Sequence, residues 1–105
     1  MINDSIKDRL EEILKVICDY FGFTIKQIKS DSRNYELMFA RIIFAYIVKI
    51  DLGYPYRFIY TCLNRKEHSS AFNLVSRYND LNNTNSGFRF SYKDIVNILK
   101  KKELL

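Results

Sequence analysis

Ile59-Tyr60-Thr61-Cys62-Leu63-Asn64-Arg65-Lys66-Glu67-His68-Ser69-Ser70-Ala71 sets a short basic turn directly before a helix start crowded with hydrogen-bonding side chains. A helix N-terminus directs free backbone N–H groups and a partial positive charge outward. A phosphate can dock there while first-turn side chains reach base edges. Lys66, Glu67, His68, Ser69 and Ser70 hold those places, so the segment reads as the turn and recognition helix of a helix-turn-helix. Asn64 suits the corner, which often needs a left-handed backbone that Asn tolerates better than most residues other than glycine.

Outward from this segment the apolar spacing is helical almost throughout. Gly53 and Pro55 mark a turn. Tyr56 to Leu63 then forms a short helix, Asn64 to Lys66 the tight turn, and Glu67 to about Tyr78 the following helix. Upstream, Tyr35 to Ile50 is apolar nearly all round, interrupted only by Glu36, Arg41 and Lys49, which marks a central helix. A first helix spans about Asp4 to Phe21, with Ile6, Leu10, Ile13, Leu14, Ile17 and Phe21 at three- and four-residue steps. Asn3 or Asp4 caps it and Gly22 ends it. Thr24 and Gln27 have capping-box spacing for a short second helix with Ile25 and Ile28 inward, and Asn34 can cap the central helix after the polar stretch Lys29 to Asn34. Downstream, the polar run Asn79 to Gly87 reads as a linker. Ser91 and Asp94 have capping-box-like spacing for a last helix over about 91–102, with Ile95, Ile98 and Leu99 on one face. The expected fold is all-α: one domain over 1–105, a small bundle of five to six helices with a helix-turn-helix at about 56–78.

At 105 residues, 48% hydrophobic and 28% charged, the chain has room for one core. No stretch offers the roughly 18 uncharged apolar residues of a membrane span. The acidic N-terminal segment, with Asp4, Asp8, Glu11 and Glu12, lacks the layout of a signal peptide, so a cytoplasmic location is expected, nucleoid-associated when bound to DNA. One His and two distant cysteines, Cys18 and Cys62, cannot assemble an ordinary four-ligand zinc site, and both thiols are expected to be plainly buried. No metal or cofactor is expected. No nucleophile–base spacing or paired carboxylates nominate a catalytic site, so an enzyme is not expected.

The net charge of +5 is unevenly spread. Residues 1–23 carry three basic and five acidic side chains, residues 24–78 nine against four, and the remainder five against three. Positive charge is therefore concentrated around the recognition segment, as a phosphate-facing surface requires.

From Ile17 to Arg77 the chain resembles the C-terminal DNA-binding domain (domain IV) of the bacterial replication initiator DnaA, a helical fold similar to the Trp repressor. Three stretches carry the resemblance in order: Tyr20 to Ser30, then Ser32-Arg33 through Glu36-Leu37 to Ala40-Arg41, then the segment Ile59 to Ala71. In the third, the family typically shows Ile-Gly-x-x-Phe-Gly-Gly-Arg-Asp-His-Ser/Thr-Thr-Val. The resemblance implies that Arg33 enters the minor groove and that Glu67, His68 and Ser69 read the major groove. It further implies that Arg41, Lys49, Lys66, Ser70 and Arg77 hold or neighbour the DNA backbone; Arg65 beside them is expected to join the phosphate contacts. The family's glycine pair is Asn64-Arg65 here, its Arg-Asp pair is Lys66-Glu67 and its Val is Ala71. Lys lacks the fork of Arg, and Glu is one methylene longer than Asp, which argues against a standard DnaA box as target. Asp31 would repel phosphate from the loop. The chain has no Gly-rich phosphate loop, so ATP binding and origin melting are not expected.

Two functional readings follow. The favoured one is sequence-specific binding of double-stranded DNA by a small regulator carried on a phage or mobile element. The alternative is an interaction module that kept the fold and lost base readout, binding a protein partner or itself through its apolar and tyrosine-rich surface or its C-terminal helix.

Overall fold

The computed structural model describes residues 3–65 and 67–105. Among them the apolar periodicity resolves into six α-helices: α1 (Asp4–Phe21), α2 (Ile25–Lys29), α3 (Tyr35–Tyr46), α4 (Tyr56–Cys62), α5 (His68–Thr84) and α6 (Ser86–Lys101). The all-α, helix-turn-helix-containing bundle expected from the sequence is what the chain forms. A π-helical turn, Ile47–Asp51, continues α3.

Helix α3 is central because its apolar residues cover most of its circumference. Leu37, Phe39, Ala40 and Ile42 through Ala45 are all buried, and the helix touches α1, α2 and α5. Fully burying a large apolar side chain contributes roughly 1.5–3 kcal/mol, so α3 outweighs any single capping interaction several times over. Helix α1 buries Leu10, Ile13, Leu14 and Ile17, the stripe read from its spacing. Gly22 ends it at φ 81°, a left-handed conformation that costs glycine nothing.

The caps fall mostly where the sequence puts them. Asn3 accepts from the Ile6 N–H at 3.0 Å. Thr24 and Gln27 form the reciprocal capping box, at 3.1 and 2.8 Å, and Asn34 accepts from the Glu36 and Leu37 N–H groups.

The C-terminal third departs from expectation. Helix α5 runs to Thr84 and only Asn85 separates it from α6, so no linker occupies 79–87 and the last helix starts at Ser86 rather than 91. Asn79, Asp80, Asn83 and Thr84 form the exposed face of α5, while Tyr78 is buried and Leu81 half-buried on its inner face. Asn85 provides the true cap, accepting from the Phe88 N–H at 2.9 Å. Ser91 and Asp94 lie inside α6, where Asp94 accepts from the Tyr20 hydroxyl at 3.0 Å.

Aromatic rings join α3, α5 and α6. Tyr46 and Tyr78 stack with centroids 3.5 Å apart, and Tyr92 meets both edge-on while its hydroxyl donates to Asp51 at 2.6 Å. Burial raises all three phenol pKa values, Tyr92 furthest, and Asp51 pushes each the same way. Cys18 and Cys62 are buried, as expected, and burial first of all pushes both thiols up to about 11.

Candidate nucleic-acid interface

The turn between α4 and α5 forms because α4 ends in a Schellman motif. The Asn64 N–H donates to the Thr61 carbonyl at 3.2 Å and the Arg65 N–H to the Tyr60 carbonyl at 2.7 Å. Asn64 takes the left-handed place at φ 58°, which accounts for its standing where the resembling family has glycine. Leu63 and Ala71, either side of the turn, are fully buried and pin it to the core.

The chain then turns outward. Glu67, His68 and Ser69 are exposed and Ser70 is half-buried. Glu67 precedes α5 without any side-chain hydrogen bond to the helix's N–H groups. Its carboxylate instead accepts from the Ser69 hydroxyl at 3.3 Å. The Ser70 hydroxyl donates back to the Glu67 carbonyl at 2.7 Å, so Ser70 shapes the helix start more than it faces outward. The His68 ring meets Tyr56 edge-on at 4.8 Å, and Tyr56 also holds the edge of Phe72. Lys66 lies outside the described residues.

Opposite the start of α5 stands the loop between α2 and α3. A groove of about 700 Å³ separates them, with Arg33 and Tyr35 on the loop side and Ser70, Asn73 and Arg77 on the helix side. Arg33 and Arg77 are exposed. Ion pairs among the described residues involve neither of them: Lys29 pairs with Glu11 and, within the same groove, Arg65 with Asp31, so Arg33 and Arg77 present unneutralised charge. Asp31, expected to repel phosphate, is partly offset by Arg65 at 3.4 Å. Lys49 sits in the π-helical turn with its ammonium 4.4 Å from the Tyr56 ring centroid, on the His68 side of α5.

Arg41 requires correction. Expected at the DNA backbone, it is 2% exposed, and its guanidinium donates to the carbonyls of Ile28 (2.8 Å), Ser32 (2.6 Å), Gln27 (3.3 Å) and Ser30 (2.8 Å). Burial lowers its pKa, neighbouring Arg65 acts in the same direction, and Asp31 opposes them. The carbonyls left orphaned where α2 ends attract a cation more strongly than solvent does, since the helix dipole places partial negative charge there. Arg65 is likewise drawn inward, donating to the Ser30 carbonyl at 2.9 Å and the Lys29 carbonyl at 3.4 Å.

Sequence reading did not select Asn73, which is exposed and lines the groove midway between Ser69 and Arg77. The signal was available, since Ser69, Asn73 and Arg77 recur every four residues and share a helix face. Among the described residues no helix is long and apolar enough to cross a membrane, and no group of three or more His, Cys, Asp or Glu could hold a metal ion.

Residues 10–77 match the family described as bacterial dnaA protein helix-turn-helix. Among curated proteins, the chain is similar to the chromosomal replication initiator protein DnaA of Spiroplasma citri, 29% identical over 92 residues that make up 88% of this chain and 20% of that protein. The DnaA of Bacteroides thetaiotaomicron is 25% identical over 100 residues, 95% of this chain and 21% of that protein. That of Acholeplasma laidlawii is 22% identical over 94 residues, 90% of this chain and 21% of that protein. The chain thus spans about a fifth of the length of these relatives. No solved structure matches it.

Proposed function

This chain belongs to the bacterial DnaA helix-turn-helix family, and on that premise we propose that it binds double-stranded DNA and reads a short sequence. The observation that carries the reading is the pairing of an exposed, uncapped start of α5 with Arg33 across one groove, where Arg33 and Arg77, unlike Arg65, lack carboxylate partners among the described residues. With α5 in the major groove, Glu67 is placed to accept from cytosine N4, while Ser69 and His68 can donate to or accept from base edges. The α2–α3 loop then lies beside the adjacent minor groove, whose negative potential favours the Arg33 guanidinium. Arg77 and Lys49, on opposite sides of α5, are positioned for the two flanking phosphate strands, contacts that give affinity and register rather than sequence.

Selection of bound duplexes from a random pool, followed by a salt titration of binding to the recovered duplex, tests this. Enrichment of a motif is expected, with affinity that falls as salt rises. One small reading head gives weak non-specific binding, about 10⁻⁴ to 10⁻⁶ M. His68→Ala combined with Arg33→Ala should lower specific affinity by about tenfold or more, at roughly 1–3 kcal/mol per lost base contact. No enrichment together with salt-insensitive or absent binding would refute the reading, and a defined oligomer under those conditions would favour a protein-interaction module.

A further inference from the structure

Arg65 occupies the corner of the helix-turn-helix, yet its side chain leaves that corner and crosses to the α2–α3 loop. Its guanidinium donates to the carbonyls of Lys29 and Ser30 and to Asp31 Oδ1, at 3.4, 2.9 and 3.4 Å. The side chain is only 22% exposed. Arg41 reaches the same Ser30 carbonyl from beneath, at 2.8 Å. Two cations converging on one oxygen repel each other, and what holds them is the negative end of α2 together with the Asp31 carboxylate. A solvated lysine-like charge would have no reason to accept this crowding, whereas a planar fork matched to three acceptors does. Arg33 lies two residues beyond Asp31 on the same loop, and α5 begins three residues beyond Arg65.

We propose that Arg65 is a positioning residue that ties the corner before α5 to the loop bearing Arg33, fixing the spacing of the two reading elements before DNA arrives. The inference rests on the DNA-binding reading above. Preorganisation of this kind raises affinity by removing an ordering cost at binding, with no contact to DNA of its own.

Arg65→Lys and Arg65→Gln separate a tie from a phosphate contact. In the free protein, both variants should speed amide hydrogen exchange across residues 29–34 by about tenfold while α1 and α3 stay protected. With duplex, both should weaken binding by about tenfold and leave the slope of log affinity against log salt unchanged. Each should cost little more when combined with Arg33→Ala, because the shared contribution is already lost. Full rescue by Lys, or a slope reduced by about one with additive losses, would make Arg65 a phosphate contact and overturn the tie, as would unchanged exchange in both variants. A wild-type chain that binds no duplex refutes the DNA reading and with it the role of the tie in binding, while the exchange measurement still decides whether the tie exists.

Discussion

Helices α1, α2, α3 and α6 each begin under a side-chain cap, from Asn3, Thr24, Asn34 and Asn85, whereas the short α4 begins after Pro55 and the long α5 after Glu67 with none. A missing cap costs about 1 kcal/mol, and among the helices of twelve residues or more only α5 carries that cost, at an exposed start beside the groove that Arg33 and Arg77 line. The contrast separates helix ends that serve stability from one kept available. The same division runs through the arginines of neighbouring elements, where Arg41 and Arg65 satisfy carbonyls at the end of α2 while Arg33 and Arg77 face outward.

The sharpest way to break the contrast is Arg41→Met. Removing the buried fork strands the Ile28 and Ser32 carbonyls and weakens the satisfaction of Gln27 and Ser30, and about 3 kcal/mol of stability should be lost in urea unfolding. A loss below about 1 kcal/mol would return Arg41 to the surface role expected from the sequence. Alkaline pH attacks the stabilising side more diffusely. Tyr46, Tyr78 and Tyr92 have phenol pKa values raised above 10, and the two cysteines thiols raised from 9 to about 11. A raised pKa in the folded state means stability fully present below the unfolded value and lost as pH climbs above it. The urea midpoint should therefore hold up to about pH 9 and fall steadily beyond it, and a flat midpoint through pH 11 would contradict the burial of these groups. Asn85→Ala should cost about 1 kcal/mol and fray the start of α6 by hydrogen exchange. The smallest effect is expected at the open helix start. Glu67→Ser supplies the missing cap and should stabilise by about 0.5 kcal/mol, yet it should weaken duplex binding by removing the carboxylate. A variant that gains stability and also binds more tightly would mean the open end serves no ligand.

Much of this division was legible in the sequence. Asn64 at the corner, the Thr24–Gln27 box, Asn34 and Gly22 each announce themselves through local chemistry, because a cap or a left-handed residue acts on backbone within four positions. The outward display of Glu67, His68 and Ser69 followed from the same local logic. What was hidden depended on partners distant in sequence. Arg41 reads as a polar interruption of an apolar run, and only the approach of the end of α2, thirteen residues upstream, draws it inward. The segment 79–87 misled for a different reason: Asn79, Asp80, Asn83 and Thr84 occupy the solvated face of α5, so the helix there is held by the sparse pair Tyr78 and Leu81, too few to show a period. Ser91 and Asp94 share a capping spacing by coincidence, and the true cap at Asn85 is recognisable only once Phe88 is known to be buried.

The stacked phenols of Tyr46 and Tyr78, with Tyr92 bonded to Asp51, have a practical corollary. The sequence holds eight tyrosines and no tryptophan, so the chain's ultraviolet emission comes from tyrosine alone, and carboxylate-bonded or stacked rings are quenched. Separation of α6 from α3 and α5 would brighten that emission, giving the protein an optical gauge of its own assembly without any attached dye.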